Sequence, residues 1–153
     1  MPHIRLEVPV EWLNDDFISR TGVDARQLLD HLAEAVCDLQ MEDPAADKPG
    51  TMVPLINRKN LKHALIPVHH SGVGGDRSKG FLHFTFSAGN DKPGRTAQVR
   101  RHAASKLGHE IDAYIQGRIP ELESVTVHVT DIDRDRGYTT TAERKKERES
   151  RAL

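Results

Sequence analysis

Two kinds of hydrophobic spacing follow one another along this chain in a fixed order, and the order is repeated. At the start, Ile4, Leu6 and Val8 alternate with His3, Arg5 and Glu7, a period of two that fits a strand with one apolar face. Pro9 ends that strand or holds it at an edge. From Asp24, a good N-cap, the run DARQLLDHLAEAVCDLQ sets Leu28, Leu29, Leu32, Ala33, Val36 and Leu39 on one helical stripe. The polar stretch EDPAADKPG stops the helix. LKHALIPV, short, largely apolar and bounded by loops, is expected to be a second strand.

After a Gly-rich connection, HHSGVGGDRSKG, the order returns. GFLHFTFSAG places Leu82, Phe84 and Phe86 on one face and Phe81, His83 and Thr85 on the other. Thr96 can cap TAQVRRHAASKLGHEIDAYIQGRI, whose buried stripe is Val99, Ala103, Leu107, Ile111, Tyr114 and Ile115, with Pro120 marking its end. SVTVHVTDID alternates Val125, Val127 and Val129 with Thr126, His128 and Thr130. The expected fold class is therefore α/β (α+β): tandem βαβ units forming a four-stranded sheet with two helices on one face, joined by right-handed crossovers. Two helices leave the other sheet face uncovered. Apolar residues on both faces of the strands beginning at Phe81 and Ser124 predict that a homo-oligomer covers it.

Length and charge narrow the function. A chain of 153 residues suffices for one domain with a real core. From Arg134 onward seven basic residues face four acidic ones, so this end carries +3 and the rest −4, neither a nucleic-acid surface. The expected division is a domain over 1–132 and a charged tail over 133–153. TTTAERKKERESRAL has helix formers but no apolar stripe, which predicts a mobile segment or an exposed helix. A single cysteine, Cys37, excludes an internal disulfide. MPHIRLEVPVEW has neither a basic n-region nor an apolar h-region, and no stretch nears the ~20 apolar residues of a membrane span. A cytoplasmic protein with no membrane or nucleic-acid partner is expected. His63, His69, His70 and His83 lack the ligand spacing of a tetrahedral site, so no metal is expected. The GVGG at 72–75 lacks the helix and Lys-Ser/Thr of a phosphate loop and is expected to be a flexible turn.

Pro2 adds the chemical clue. A second-position proline is small enough for Met1 to be trimmed, which would leave a secondary amine at the head of the first strand. With its tandem βαβ order, the opening MPHIRLEV and the segments FLHFTFSAG and GRTAQVRRHAASKLGHEID, the chain resembles the tautomerase superfamily, and within it the 5-carboxymethyl-2-hydroxymuconate isomerases. The resemblance runs from residue 2 to about 132 and includes a GR dipeptide opening the second helix with an Arg five residues on, here Gly94, Arg95 and Arg100. It implies a cofactor-independent isomerase of the kind used in aromatic-compound degradation, a homotrimer whose sheets surround a central channel, and no metal or organic cofactor. Pro2 would be the catalytic base and acid, with Arg95 and Lys62 binding substrate. Lys62 stands where the pattern has one Arg and Ala64 where it has another, and Arg58 is the candidate replacement. Lysine offers a point charge, not the two-pronged fork that arginine gives a carboxylate.

An ordinary α-amine has a pKa of ~7.7–8.0; burial and nearby cations lower it, making a neutral Pro2 available as a base. The implied reaction moves a proton (keto-enol, or a 1,3- or 1,5-shift) in a carboxylated 2-hydroxydienoate or 2-oxo acid. The alternatives are a non-catalytic trimeric binding or scaffold protein, should Met1 be retained, and Pro-dependent dehalogenation or decarboxylation of an unsaturated acid. The long loop EDPAADKPGTMVPLINRKN leads into the Lys62 strand and is placed to shape access to it.

Overall fold

The alternation at the start of the chain becomes β1 (His3–Pro9), with Ile4, Leu6 and Val8 buried and Arg5 exposed. In the computed structural model, which describes residues 1–89, 92–132 and 141–152, a 3-10 turn (Val10–Leu13) then leads into α1 (Asp15–Thr21). No periodicity announces this short helix. It is held by Phe17 stacking on Trp12, ring centroids 5.2 Å apart, and by Gly22, whose φ of 69° turns the chain out of the helix. α2 (Ala25–Cys37) begins as expected at Asp24, whose carboxylate accepts from the Arg26 amide at 2.9 Å, and it buries Leu28, Leu29, Leu32 and Val36.

The connection expected to be a plain loop contains a small antiparallel pair, β2 (Gln40–Glu42) and β3 (Met52–Pro54). β4 (Lys62–Val68) completes the first βαβ unit. β5 (Gly80–Gly89), α3 (Ala97–Ile115) and β6 (Leu122–Ile132) form the second. α3 stops short of Pro120, because Gln116 and Gly117 take positive φ of 50° and 69° and reverse the chain there.

The main sheet runs β4-β1-β5-β6. β1 is parallel to β4 and β5 to β6, while β1 and β5 meet antiparallel at the centre. α2 and α3 cover one face and are linked to each other by His31 Nε2 and Glu110 Oε2 at 2.9 Å. Between helices and sheet lie Ile4, Leu6, Leu32, Leu82, Phe84, Phe86, Leu107 and Ile111, all with almost no exposure. Truncating a buried phenylalanine such as Phe84 in a core like this costs about 3–5 kcal/mol.

The opposite face corrects one expectation. Residues paired across neighbouring strands point the same way, so this face shows Lys62, His3 and Ser87 in one row, Ala64, Arg5 and Thr85 in the next, and Ile66, Glu7 and His83 in a third. On β5 and β6 only the ends contribute large apolar groups to it, Phe81 among them; the middle is Thr, Ser and His. Among the described residues no helix covers this face, where the loop at 72–74 borders a cleft with Glu7, His83 and Thr126, and its side chains are mostly polar.

Of the expected tail, 133–140 and 153 lie outside the described residues. α4 (Thr141–Arg151) follows them, with residues 144–152 exposed. No helix among the described residues is long and apolar enough to cross a membrane.

Candidate active site

Pro2 is buried and sits in phase with Ile4, Leu6 and Val8. Its carbonyl accepts from the backbone N–H of Lys62 at 3.0 Å, extending the β1–β4 ladder by one bond. Two strands therefore fix the position of Pro2. Lys62 stands level with His3 across that pairing, and Ser87 stands level with His3 on the other side. The Lys62 ammonium is exposed and takes no carboxylate partner among the described residues. Burial pushes the His3 imidazole below its ordinary value of 6.5, and the charges of Lys62, the amino terminus and Arg5 push it the same way.

Arg95 lies at the same end of the sheet, reached through β5. The antiparallel register puts Ser87 opposite His3, so Ala88 and Gly89 continue past Pro2. Arg95 Nη1 donates to the Gly89 carbonyl, and its Nε and Nη2 donate to the Leu55 carbonyl at 3.1 and 2.8 Å. The guanidinium thus ties the end of β5 to the chain that follows β3. Arg100 continues the brace, its Nη1 donating to the Arg95 carbonyl at 2.9 Å and pairing with Asp131 Oδ2 at 2.8 Å. Arg58 faces the other way. Its Nη1 bonds both carboxylate oxygens of Glu34, at 2.8 and 2.7 Å, and its Nη2 lies 3.7 Å from Asp38, so its charge is satisfied by α2.

The structure therefore brings Pro2, Lys62 and His3 together directly, brings Arg95 to the same sheet end through Gly89, and commits Arg58 elsewhere. His3, Arg5 and Ser87 were not singled out from the sequence. The strand parity that found the core also puts these three on the opposite face, and combining it with the expected strand pairing would have found them.

Two clefts lie away from Pro2. One, of about 660 Å³, is lined by Met41, Met52, Pro93, Thr96, Val99 and His102 at the start of α3. The other, of about 570 Å³, lies at the far end of the sheet between Trp12, Phe17, Arg20, His70, Arg77 and Gly80. Four of its polar groups pair with one another: Arg20 with Glu121, and Arg77 Nη2 with His70 Nε2 at 2.7 Å. Among the described residues no three His, Cys, Asp or Glu side chains gather as a metal site would require.

No protein-family model matches the sequence, and no curated protein sequence matches it. Solved structures do resemble it. A 5-carboxymethyl-2-hydroxymuconate delta-isomerase superposes with a TM-score of 0.62 at 14% identity, covering 92% of this chain and 87% of that one. A member of the cis-3-chloroacrylic acid dehalogenase family gives 0.55 at 13% identity, over 99% of this chain and 92% of its own. A fused 4-OT in a symmetric trimer gives 0.52 at 13% identity, over 91% and 92%. Two βαβ units joined through antiparallel central strands, with both long helices on one face, give this chain the fold of the tautomerase superfamily.

Proposed function

We propose that this protein is a cofactor-independent tautomerase acting on a carboxylated 2-hydroxydienoate or 2-oxo acid, with Pro2 as general base and then general acid once Met1 is removed. The observation that carries the reading is the anchorage of Pro2 by the Lys62 amide. A prolyl amine there is held by two strands in a buried position beside a lysine, the surroundings that keep an amine neutral near physiological pH. Pro2 nitrogen takes the proton from the 2-hydroxyl or from the carbon next to a carbonyl. The electron pair moves along the conjugated chain, and the same nitrogen returns the proton at another carbon. Lys62 holds the substrate carboxylate and offsets charge building on the dienolate oxygen. Arg95 steadies the end of β5 against which the substrate lies. The uncovered sheet faces of three chains turn toward one another around a channel, a homotrimeric arrangement supported by the likeness to the trimeric fused 4-OT.

Intact mass comes first: loss of Met1 is expected. Pro2→Ala should then lower ketonisation of phenylenolpyruvate at least a hundredfold, in line with general acid–base contributions of ~10²–10⁴. Turnover unchanged in that variant would end the proposal.

A second reading, a non-catalytic protein of the same fold, is favoured by the engagement of Arg95 and Arg58 with protein partners. Retention of Met1 would select it, since Pro2 nitrogen would then be a non-basic amide.

A further inference from the structure

The end of the sheet remote from Pro2 holds the cleft of about 570 Å³, large enough for a small organic molecule. β1 lies between β4 and β5, so the chain running from β4 to β5 must pass the end of β1. The cleft lies between that crossing, residues 69–80, and the stretch 9–20 that leaves β1. Its two banks carry opposite charge. On the crossing, Arg77 Nη2 donates to His70 Nε2 at 2.7 Å. A histidine nitrogen that accepts leaves the guanidinium charge uncancelled, and Arg77 has no carboxylate partner among the described residues. Lys79 beside it is paired with Glu123 at 3.3 Å. On the other bank the carboxylates of Glu11 and Asp16 are exposed and make no hydrogen bond or ion pair among the described residues. The Arg20 charge on that bank is cancelled by Glu121, which also fixes the guanidinium 5.3 Å from the centroid of the Phe17 ring. A simple anion in this cleft would meet Glu11 and Asp16, and a simple cation would meet Arg77. A molecule carrying both signs offsets both banks.

We propose that this cleft binds a zwitterion with an aromatic body, of the aromatic amino acid class. The fork of Arg77 takes the carboxylate, and Glu11 and Asp16 take the ammonium group. The ring rests against the stacked pair Trp12 and Phe17 and the guanidinium plane of Arg20. His70 holds Arg77 in position without neutralising it. Nothing in this binding uses Pro2 or its end of the sheet, so the proposal goes beyond the tautomerase reading, and the failure of either leaves the other standing.

Trp12 is the only tryptophan in the chain, so its emission reports a ligand in this cleft. The probes share a phenyl ring and differ in charge: L-phenylalanine carries both groups, hydrocinnamate only the carboxylate and phenethylamine only the ammonium. Titrated into the full-length protein at neutral pH, phenylalanine should shift Trp12 emission saturably. It should bind at least about tenfold more tightly than either singly charged probe, the smaller end of what a charge-assisted bond supplies. Arg77→Gln should bring the Kd for phenylalanine to that for phenethylamine without weakening phenethylamine. Glu11→Gln combined with Asp16→Asn should bring it to that for hydrocinnamate without weakening hydrocinnamate. All of these positions are exposed, so the variants should keep the wild-type circular dichroism spectrum. No saturable change in Trp12 emission, equal affinities for the probes in the wild type, or a preference for phenylalanine that survives either variant would each overturn the proposal.

Discussion

A proline nitrogen is a base only where it ends the chain, and a cation helps it only where the fold holds that cation nearby. Pro2 and Lys62 are joined through a backbone bond, not a side-chain one, so substituting Lys62 should leave Pro2 in place and, on the proposed reading, alter substrate affinity. His3 allows a stability test. Burial, Lys62, the amino terminus and Arg5 hold its folded pKa below the ordinary 6.5. Well above 6.5 both folded and unfolded chains carry it neutral, and it has no pH effect. As pH falls below about 6.5 the unfolded chain takes up the proton first, so stability is lost on the acid side. Urea midpoints of wild type and His3→Gln should run parallel above about 6.5, with the wild type losing ground below it; parallel curves throughout would remove the argument. The strand and helix starts that carry Pro2, Lys62 and Arg95 were legible from local signals, while the three residues themselves were singled out through the family resemblance. The backbone partners of Arg95 were not legible. Its carbonyl partners, Leu55 and Gly89, lie 40 and 6 residues away, and only the folded chain brings them to it.

Among the elements, those with long periodic signals were read correctly, and those held by tertiary contacts were not. α1 is seven residues long, below the length at which propensity alone sustains a helix, and it depends on the Trp12–Phe17 stack. β2 and β3 are three residues each, separated by a Pro- and Gly-containing loop whose composition masked them. They are braced from outside. A Cβ at Gly94 would stand 2.9 Å from the Glu42 carbonyl oxygen and 3.0 Å from Met41 Sδ, so the glycine of the GR dipeptide lets the turn before α3 close against β2. Gly94→Ala should destabilise the protein by about 1–3 kcal/mol, the usual cost of overpacking. Hydrogen exchange should show faster opening of 40–54 with little change in β5. A variant as stable as the wild type would mean that the hairpin yields freely.

For the whole molecule the open question is what covers the second sheet face. Period-two spacing showed that the face exists, and Phe81 suggested an apolar one; the paired strands instead carry His, Thr and Ser through its middle. A polar face fits a water-lined channel better than a dry interface, with contact concentrated at apolar positions such as Phe81 and the exposed Ile66. Sedimentation equilibrium should give the mass of a trimer for the wild type, and Phe81→Asp should shift it toward the 17.1 kDa protomer. A wild type that sediments as a single chain would rule out the channel.

The antiparallel meeting of β1 and β5 relates the two βαβ halves by an approximate two-fold axis through the centre of the sheet. The position corresponding to Pro2 in the second half is the head of β5, at the opposite end, where Gly80 packs beneath the ring of Trp12. An unbroken peptide runs through that point, and no amine can form there. Each chain thus has two geometrically equivalent corners, of which only the first could carry a terminal amine. On the proposed reading, joining the halves into one polypeptide limits the chain to one such amine, and the second corner holds the aromatic-walled cleft around Trp12 and Phe17.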